Sequence, residues 1–139
     1  MIDAKDRKIL GELRKNSRST VRDIAKATSL RPSTVHQRIK KLVHDKIIEK
    51  FTIKLDNKAA EENFIVFLLV KTDKDIDNKV FSDPHLKEAF GITGEYDLLL
   101  KLKFRDIEEF NRFIIDFRKT NRVSNTLTMV ATIDIKEEI

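Results

Sequence analysis

The chain has 139 residues and is 40% hydrophobic, so it can bury one ordinary core or two small ones. It has no cysteine, which excludes disulfides and thiolate metal sites, and its longest apolar run, Phe64–Val70, is too short for a membrane helix. The net charge is +5, and the N-terminus, MIDAKDRK, has no apolar signal region, so we expect a cytoplasmic protein with no membrane partner.

Two helices are predicted at the start of the chain. Asp3 can cap a first helix over Ala4–Lys15, because a short acidic side chain accepts a hydrogen bond from the first helical turn. Thr20, followed three residues later by Asp23, is a capping-box-like start for a second helix.

A third helix is predicted after a tight turn at Ser29 and Leu30. Pro32 suits its first position, where the missing N–H of proline costs nothing. The positions expected to be buried follow helical spacing: Val35, Ile39 and Leu42. Two short helices joined by such a turn predict a helix-turn-helix, whose second helix enters the major groove of DNA.

The exposed face of the third helix carries side chains that suit DNA. Gln37 can bond an adenine edge bidentately and Arg38 a guanine edge. Arg31, Lys40 and Lys41 suit the phosphate groups of DNA. Contacts to phosphates position a protein on DNA but do not read its sequence. The predicted DNA-binding residues are Arg31, Ser33, Thr34, His36, Gln37, Arg38, Lys40 and Lys41.

Charge is distributed unevenly along the chain. Residues 1–50 hold 14 Lys and Arg against 6 Asp and Glu, a net of +8, which leaves −3 for the remainder. A basic region beside an acidic one favours a polyanionic partner for the first, although a helical hairpin with a merely solvated basic face is the alternative. Arg38 could equally pair with an acidic neighbour such as Glu49. Three scattered histidines predict no metal site.

A strand and a linker are predicted next. Phe51, Ile53 and Leu55 alternate with polar residues, which is strand periodicity, and the polar stretch DNKAAEEN follows. We therefore expect a winged or strand-tethered helix-turn-helix domain at residues 1–50, a strand and linker at 51–62, and a second domain at 63–139.

The second half predicts a β-α-β-β-α-β order, the ferredoxin-like arrangement, and hence an α+β protein. The predicted strands are Phe64–Lys71, Leu86–Thr93, Leu98–Phe104 and Leu127–Ile135. A short helix is expected over Asp75–Ser82, and a longer one after Asp106, with Ile107, Phe110, Ile114 and Phe117 facing inward.

One face of this sheet is expected to need a partner. Both helices should pack on the other face, yet the strand at Phe64–Val70 is apolar on both of its sides. A second copy of the domain is the simplest cover, so we expect a homodimer formed through the sheets.

The turn Gly94-Glu95-Tyr96-Asp97 is a candidate ligand site. It would offer the backbone N–H of Gly94, the aromatic wall of Tyr96 and the carboxylate of Asp97, groups that suit an amino acid. Thr126 and Thr128 could add hydroxyls, and the alternative is an ordinary hairpin turn. Since no Ser-His-Asp, Cys-His or Gly-rich phosphate motif is present, we expect no enzyme and no cofactor.

These segments together resemble the Lrp/AsnC family (feast/famine regulators) of bacterial and archaeal transcription factors. The resemblance covers nearly the whole chain and rests on DAKDRKIL, IAKATSLRPSTVHQRIKKL, IIEKFTIKLD and ITGEYDLLLKLKF. It implies an N-terminal helix-turn-helix, a C-terminal βαββαβ ligand-sensing domain, dimers that often assemble further into an octamer, and an amino-acid effector bound between dimers.

The chain departs from the family pattern at three places. Arg31 stands where a serine usually caps the recognition helix, and losing a cap costs about 1 kcal/mol. Ser29 stands where the turn usually has glycine, so we expect a tighter or strained turn. The predicted helix Asp75–Ser82 is shorter than the family's.

The sequence therefore predicts a sequence-specific transcriptional regulator that binds double-stranded DNA and responds to an amino acid or a similar small molecule. The alternative is an amino-acid-sensing ferredoxin-like module whose basic N-terminus binds a protein partner. A small enzyme is the third hypothesis, because no sequence motif indicates a polar pocket.

Overall fold

The chain forms two compact units. The computed structural model describes residues 1–121 and 123–139. One unit comprises Met1–Lys54 and the other Leu55–Glu138, so the division falls inside the segment 51–62 that was expected to connect two domains. Over the part of the chain that the structure describes, no helix has both the length and the apolar character needed to cross a membrane.

The N-terminal unit is a bundle of three helices, α1 (Ala4–Lys15), α2 (Val21–Thr28) and α3 (Pro32–His44). These helices confirm the predicted helix-turn-helix. Their apolar core is small, with Ile9, Ile24, Ala25 and Val35 buried, and Leu13, Val21, Leu30 and Ile39 packed around them.

Capping fixes where the first two helices begin. The Asp3 carboxylate accepts a hydrogen bond from the Asp6 N–H at 2.9 Å, and the Asp6 carboxylate accepts one from the Asp3 N–H at 3.1 Å. The Thr20 hydroxyl accepts a hydrogen bond from the Asp23 N–H at 3.1 Å. Each bond satisfies a backbone donor that the first turn of a helix would otherwise leave without a partner.

The strand predicted over residues 51–55 is wrong for the single chain. Among the described residues none forms a β-ladder with this segment, and Phe51, Ile53 and Leu55 are 51%, 67% and 55% exposed. Alternation of apolar and polar residues prepares one face for burial, but a strand also requires a neighbouring strand to bond its backbone. The winged element expected here is therefore absent from the described part of the chain.

The C-terminal unit is a four-stranded antiparallel sheet with helices on one face. Its strands are β1 (Phe64–Thr72), β2 (Leu86–Gly91), β3 (Leu98–Phe104) and β4 (Val123–Val130), in the order β2-β3-β1-β4. A 3₁₀ helix, Asn78–Ser82, follows β1, and α4 (Ile107–Thr120) follows β3. The predicted α+β class with a βαββαβ-like second unit is confirmed.

The helix predicted over Asp75–Ser82 is reduced to that five-residue 3₁₀ helix. The Asp77 carboxylate accepts a hydrogen bond from the Lys79 N–H at 3.0 Å, which caps a tight turn. Asp83 and Pro84 end the segment, so too few residues remain for an α-helix of ordinary length.

Two predicted strands end earlier than expected. β2 ends at Gly91 rather than Thr93, and β4 ends at Val130 rather than Ile135. For β4 the cause is its neighbour: Val130 lies opposite Val66, Ala131 donates to the Ile65 carbonyl at 2.9 Å, and β1 begins one residue before Ile65. Residues beyond Ala131 have no further stretch of β1 to bond.

The main core lies between α4 and the sheet. Its buried members include Val66, Leu68, Val70, Leu100, Leu102, Phe104, Phe110, Ile114 and Phe117. Ile107 was expected to face inward but is 52% exposed, because it is the first residue of α4 and burial starts one turn later, at Phe110.

The other sheet face, which we call the outer face, carries an apolar row across all four strands. Leu69 in β1 lies opposite Leu99 in β3 and Leu127 in β4, and Leu99 lies opposite Phe90 in β2. Phe90 and Leu127 are 55% and 43% exposed. The outer face thus presents a line of large apolar side chains to its surroundings.

A polar cluster lies at one end of the outer face. The Lys103 ammonium donates to the Asn57 side-chain oxygen at 2.6 Å and to the Glu137 carboxylate at 2.9 Å, and Lys101 also pairs with Glu137. Burial opposes ionisation of Glu137, but hydrogen bonds from Lys101, Lys103 and Asn57 outweigh it and lower the Glu137 pKa to about 2. The cluster ties the end of the chain to the sheet.

Acid is therefore expected to weaken this unit through Glu137. Since its pKa is below the ordinary 4.5 when folded, its stabilising contribution is complete above pH 4.5 and is lost as the pH falls toward about 2. In Glu137→Gln we expect a lower free energy of unfolding at neutral pH, and a gap to the parent that shrinks in acid. Denaturant titrations between about pH 6 and about pH 2 measure the gap, and a constant gap would contradict the expectation.

Candidate nucleic-acid interface and effector site

The third helix presents most of its predicted DNA-binding residues to solvent. Arg31, Ser33, His36, Gln37, Lys40 and Lys41 are exposed, whereas Thr34 and Arg38 are partly buried. The opposite side of α3 is fixed in the core, since Val35 is fully buried and Leu42 is 3% exposed. The structure thus brings the predicted contacts together on one helix face.

The beginning of α3 has no side-chain cap. Arg31 occupies the cap position with extended backbone, and its side chain makes no capping hydrogen bond. The first turn of α3 therefore keeps backbone N–H groups and the positive end of the helix dipole available for an anion.

The turn before α3 is held by a residue in the left-handed region. Ser29 has φ 58° and ψ 30°, and its N–H donates to the Ala25 carbonyl to close α2. Leu30 donates to the same carbonyl at 3.1 Å. A residue with a side chain loses roughly 1–2 kcal/mol in this conformation. The turn is therefore strained because serine occupies the position where the family pattern has glycine.

Ser29→Gly is therefore expected to stabilise the N-terminal unit by roughly 0.5–1 kcal/mol, since glycine adopts this conformation without strain. Ser19→Gly is the matched control, because Ser19 precedes the α2 cap and is not among the described residues with positive φ. Chemical denaturation measures both variants. A loss of stability in Ser29→Gly equal to that in the control would contradict the strained turn.

Arg38 is engaged within its own unit. Its guanidinium bonds the carboxylates of Asp3 and Asp6 at the start of α1, the latter at 3.1 Å, and not Glu49. The hydrogen bond from Arg38 lowers the Asp3 pKa to about 2, and the same contacts raise the Arg38 pKa. The sequence predicted that Arg38 could pair with an acidic residue, but it did not predict that the acidic partners lie on α1.

The predicted effector residues occupy two places at one end of the sheet. Gly94 has φ 124°, a conformation that its turn needs and side chains avoid. Asp97 donates its N–H to the Val70 carbonyl at 2.8 Å, and its carboxylate accepts from the Thr72 N–H at 2.9 Å. Thr126 lies opposite Val70 on the other side of β1. Thr126 and Asp97 thus flank the same end of β1.

A cavity of about 660 Å³ opens beside Asp97. Its lining includes Thr72, Lys74, Asp75, Asp77 and Phe81 in addition to Asp97. Gly94, Tyr96, Thr126 and Thr128 are not among the described residues that line it. The stretch after β1 was not among the predicted effector residues, although its acidic run TDKDID at a strand end indicates a polar site.

Thr126 and Thr128 lie on β4, opposite Val70 and Leu68. The Thr126 hydroxyl accepts a hydrogen bond from Arg118 at 3.2 Å, so part of its bonding capacity is used by α4.

Within the residues that the structure describes, no group of His, Asp and Glu is placed to hold a metal ion.

A three-helix unit with an exposed basic third helix, followed in the same chain by a βαββαβ-like sheet, defines a two-domain helix-turn-helix transcriptional regulator. The family model for the AsnC-type helix-turn-helix domain matches residues 2–43, and the model for the Lrp/AsnC ligand binding domain matches residues 65–139. The chain belongs to the Lrp/AsnC family, which is non-enzymatic.

Individual relatives match nearly the full length of this chain. An uncharacterized HTH-type transcriptional regulator of Pyrococcus horikoshii is 37% identical, covering 100% of this chain and 98% of the relative. The structure of an AsnC family transcriptional regulator from Agrobacterium tumefaciens has a TM-score of 0.91 at 25% identity, with 99% and 94% of the two chains covered. A transcriptional regulator from Neisseria meningitidis, solved as an L-Met complex, has a TM-score of 0.89 at 26% identity, with 99% and 94% covered.

Proposed function

We propose that this protein is a sequence-specific, cytoplasmic regulator that binds double-stranded DNA as a homodimer and responds to an amino acid. The observation that carries the proposal is the exposed, cationic face of α3 in a unit whose residues 1–50 have a net charge of +8. Cationic residues supply sequence-independent affinity for phosphates, and polar residues on the same face supply contacts to base edges.

The roles on α3 divide by chemistry. Gln37 is the proposed base reader, with Ser33, Thr34 and His36 making local contacts. The phosphate contacts are assigned to Arg31, Lys40 and Lys41. Arg31 has a second reason to lie at a phosphate, because the uncapped start of α3 beside it also favours an anion.

The proposed dimer places two copies of the outer face against each other. The row Phe90–Leu99–Leu69–Leu127 is apolar from one edge of the sheet to the other, and its two ends, Phe90 and Leu127, are exposed. Contiguous apolar surface of this kind marks protein interfaces. The segment 51–55 offers the same chemistry, since Phe51, Ile53 and Leu55 are exposed and form no ladder within the described chain. A second copy supplies both a sheet and a strand partner.

A dimer would also satisfy the geometric requirement for specific DNA binding. One recognition helix contacts too few base pairs for specificity, whereas two copies about 34 Å apart read successive major grooves. Further assembly into an octamer, as the family resemblance implies, belongs to the same proposal.

The proposed effector is an amino acid bound near Asp97. The cavity there combines the carboxylates of Asp75, Asp77 and Asp97, which suit an ammonium group, with Lys74, which suits a carboxylate. The Neisseria meningitidis relative was solved with L-Met, which supports the ligand class. Gly94, Tyr96, Thr126 and Thr128 stay predictions. Such a ligand would act by its differential affinity for two states, typically 1–3 kcal/mol.

Selection of duplexes from a random pool at physiological salt tests the proposal. We expect enrichment of a pseudo-palindrome with half-sites about one helical turn apart, and a change in yield when one of the natural amino acids is added. A pool that remains random would contradict DNA reading and favour the alternative of a sensing module that acts through a protein partner. Low-salt binding to random DNA would not decide, because any strongly cationic surface binds DNA weakly.

A further inference from the structure

One arginine on the recognition helix is held by another helix of the same unit. Arg38 lies next to Gln37 on α3, and its side chain is 30% exposed. Its guanidinium contacts Asp3 and Asp6, which are 53% and 12% exposed in their side chains. We call these three residues the Asp3–Asp6–Arg38 clamp.

The clamp is built on the capping box of α1. In each of the two carboxylates, one oxygen accepts the backbone N–H of the other aspartate, and the second oxygen accepts the Arg38 guanidinium. Both aspartates are therefore oriented by the helix start before they meet Arg38. All four carboxylate oxygens are used, and two negative charges face one positive charge.

We propose that Asp3 and Asp6 are specificity-determining positioning residues that withhold Arg38 from DNA. This inference rests on the proposed function. A free arginine beside Gln37 would reach the nearest phosphate on any duplex, and this adds affinity without reading sequence. With Arg38 clamped, α3 presents fewer sequence-independent contacts, and its polar residues account for a larger share of the binding. The hydrogen bond that Arg38 donates to Asp3 also lowers the Asp3 pKa, as expected for a carboxylate that holds a cation.

Asparagine variants open the clamp while keeping the helix start. In Asp3→Asn/Asp6→Asn the side-chain oxygens still accept the capping bonds, since asparagine is as good a cap as aspartate, but the negative charges that hold Arg38 are gone. We expect tighter binding to random duplex by several-fold, and a plot of log Kobs against log salt that is steeper by about 0.9 for each new phosphate contact. The ratio of affinities for selected and random duplex should fall.

Two further proteins isolate the cause. Adding Arg38→Gln to the double variant should return the salt slope to the parent value, because the freed arginine is then absent. Asp23→Asn/Glu49→Gln removes two negative charges from the same unit at residues that do not contact Arg38, and it should change the slope less. Asp3→Asn alone, at the more exposed aspartate, should shift the slope in the same direction and guards against a double variant that does not fold.

The outcomes separate the clamp from the proposed function. Unchanged slopes in both asparagine variants, or an equal rise in the charge-matched control, would overturn the clamp. A merely structural role would lower both affinities together with the thermal midpoint and leave the slope as it was, which also overturns it. If the proposed function is wrong, the parent protein binds selected and random duplex with equal affinity. The comparison of salt slopes between the variants still tests the clamp in that case.

Discussion

Leu127→Glu is expected to convert the proposed dimer to a monomer and to weaken binding to a duplex with two half-sites by about 10²- to 10⁴-fold. Leu127 is 43% exposed and lies opposite Leu69 in the apolar row of the outer face. A carboxylate there must lose its hydration without a partner when two copies meet, which costs more than the interface can supply. Sedimentation and DNA titration measure the two effects.

Ile115→Glu is the matched control for this prediction. Ile115 is 55% exposed, but it lies on α4 and not on the outer face. We expect this variant to keep the dimer and to bind DNA like the parent. If Leu127→Glu sedimented as a dimer, or if both variants dissociated equally, the outer face would not be the dimer interface.

The second large effect is expected at Gln37. Gln37→Ala should reduce the preference for the base that Gln37 reads by ~1–3 kcal/mol, which corresponds to about 5- to 150-fold, and should leave affinity for random duplex nearly unchanged. The reason is that a bidentate amide contact is made only to the matching base edge. Binding to the selected duplex and to single-base changes within it measures the preference.

Lys40→Ala serves as its counterpart on the same exposed face. It should weaken binding to all duplexes similarly and reduce the salt slope by about 0.9 for each phosphate that the variant no longer neutralises. If both variants lost affinity for selected and random DNA to a similar extent, the assignment of base reading to Gln37 and of phosphate binding to Lys40 would be contradicted.

Local signals were sufficient for most of the N-terminal unit. The caps at Asp3 and Thr20 and the proline at position 32 each act within one helical turn, so a sequence shows them directly, and all three helices begin where they predict. The missing cap at Arg31 and the strained turn at Ser29 were expected because these two positions depart from the Lrp/AsnC family pattern. Arg38 was harder, because its partners lie 35 and 32 positions earlier and depend on how α1 packs against α3.

The sheet shows where periodicity stops being informative. Alternation predicts which side chains share a face, and it grouped Leu127 and Met129 as the structure does. It does not say how long a neighbouring strand runs, so the predicted end at Ile135 overran β1. It also predicted a strand at 51–55, but among the described residues no neighbouring strand pairs with this segment. The cavity beside Asp97 was missed because its lining combines residues from β1, the 3₁₀ helix and β3.

Whether α3 reads a DNA sequence is measured most directly by the ratio of affinities for the selected duplex and for a shuffled duplex of equal length and composition, at salt of about 0.15 M. We predict that the selected duplex binds at least about 10³-fold more tightly, as specific protein–DNA complexes do. Affinities that agree within a few-fold would contradict this prediction.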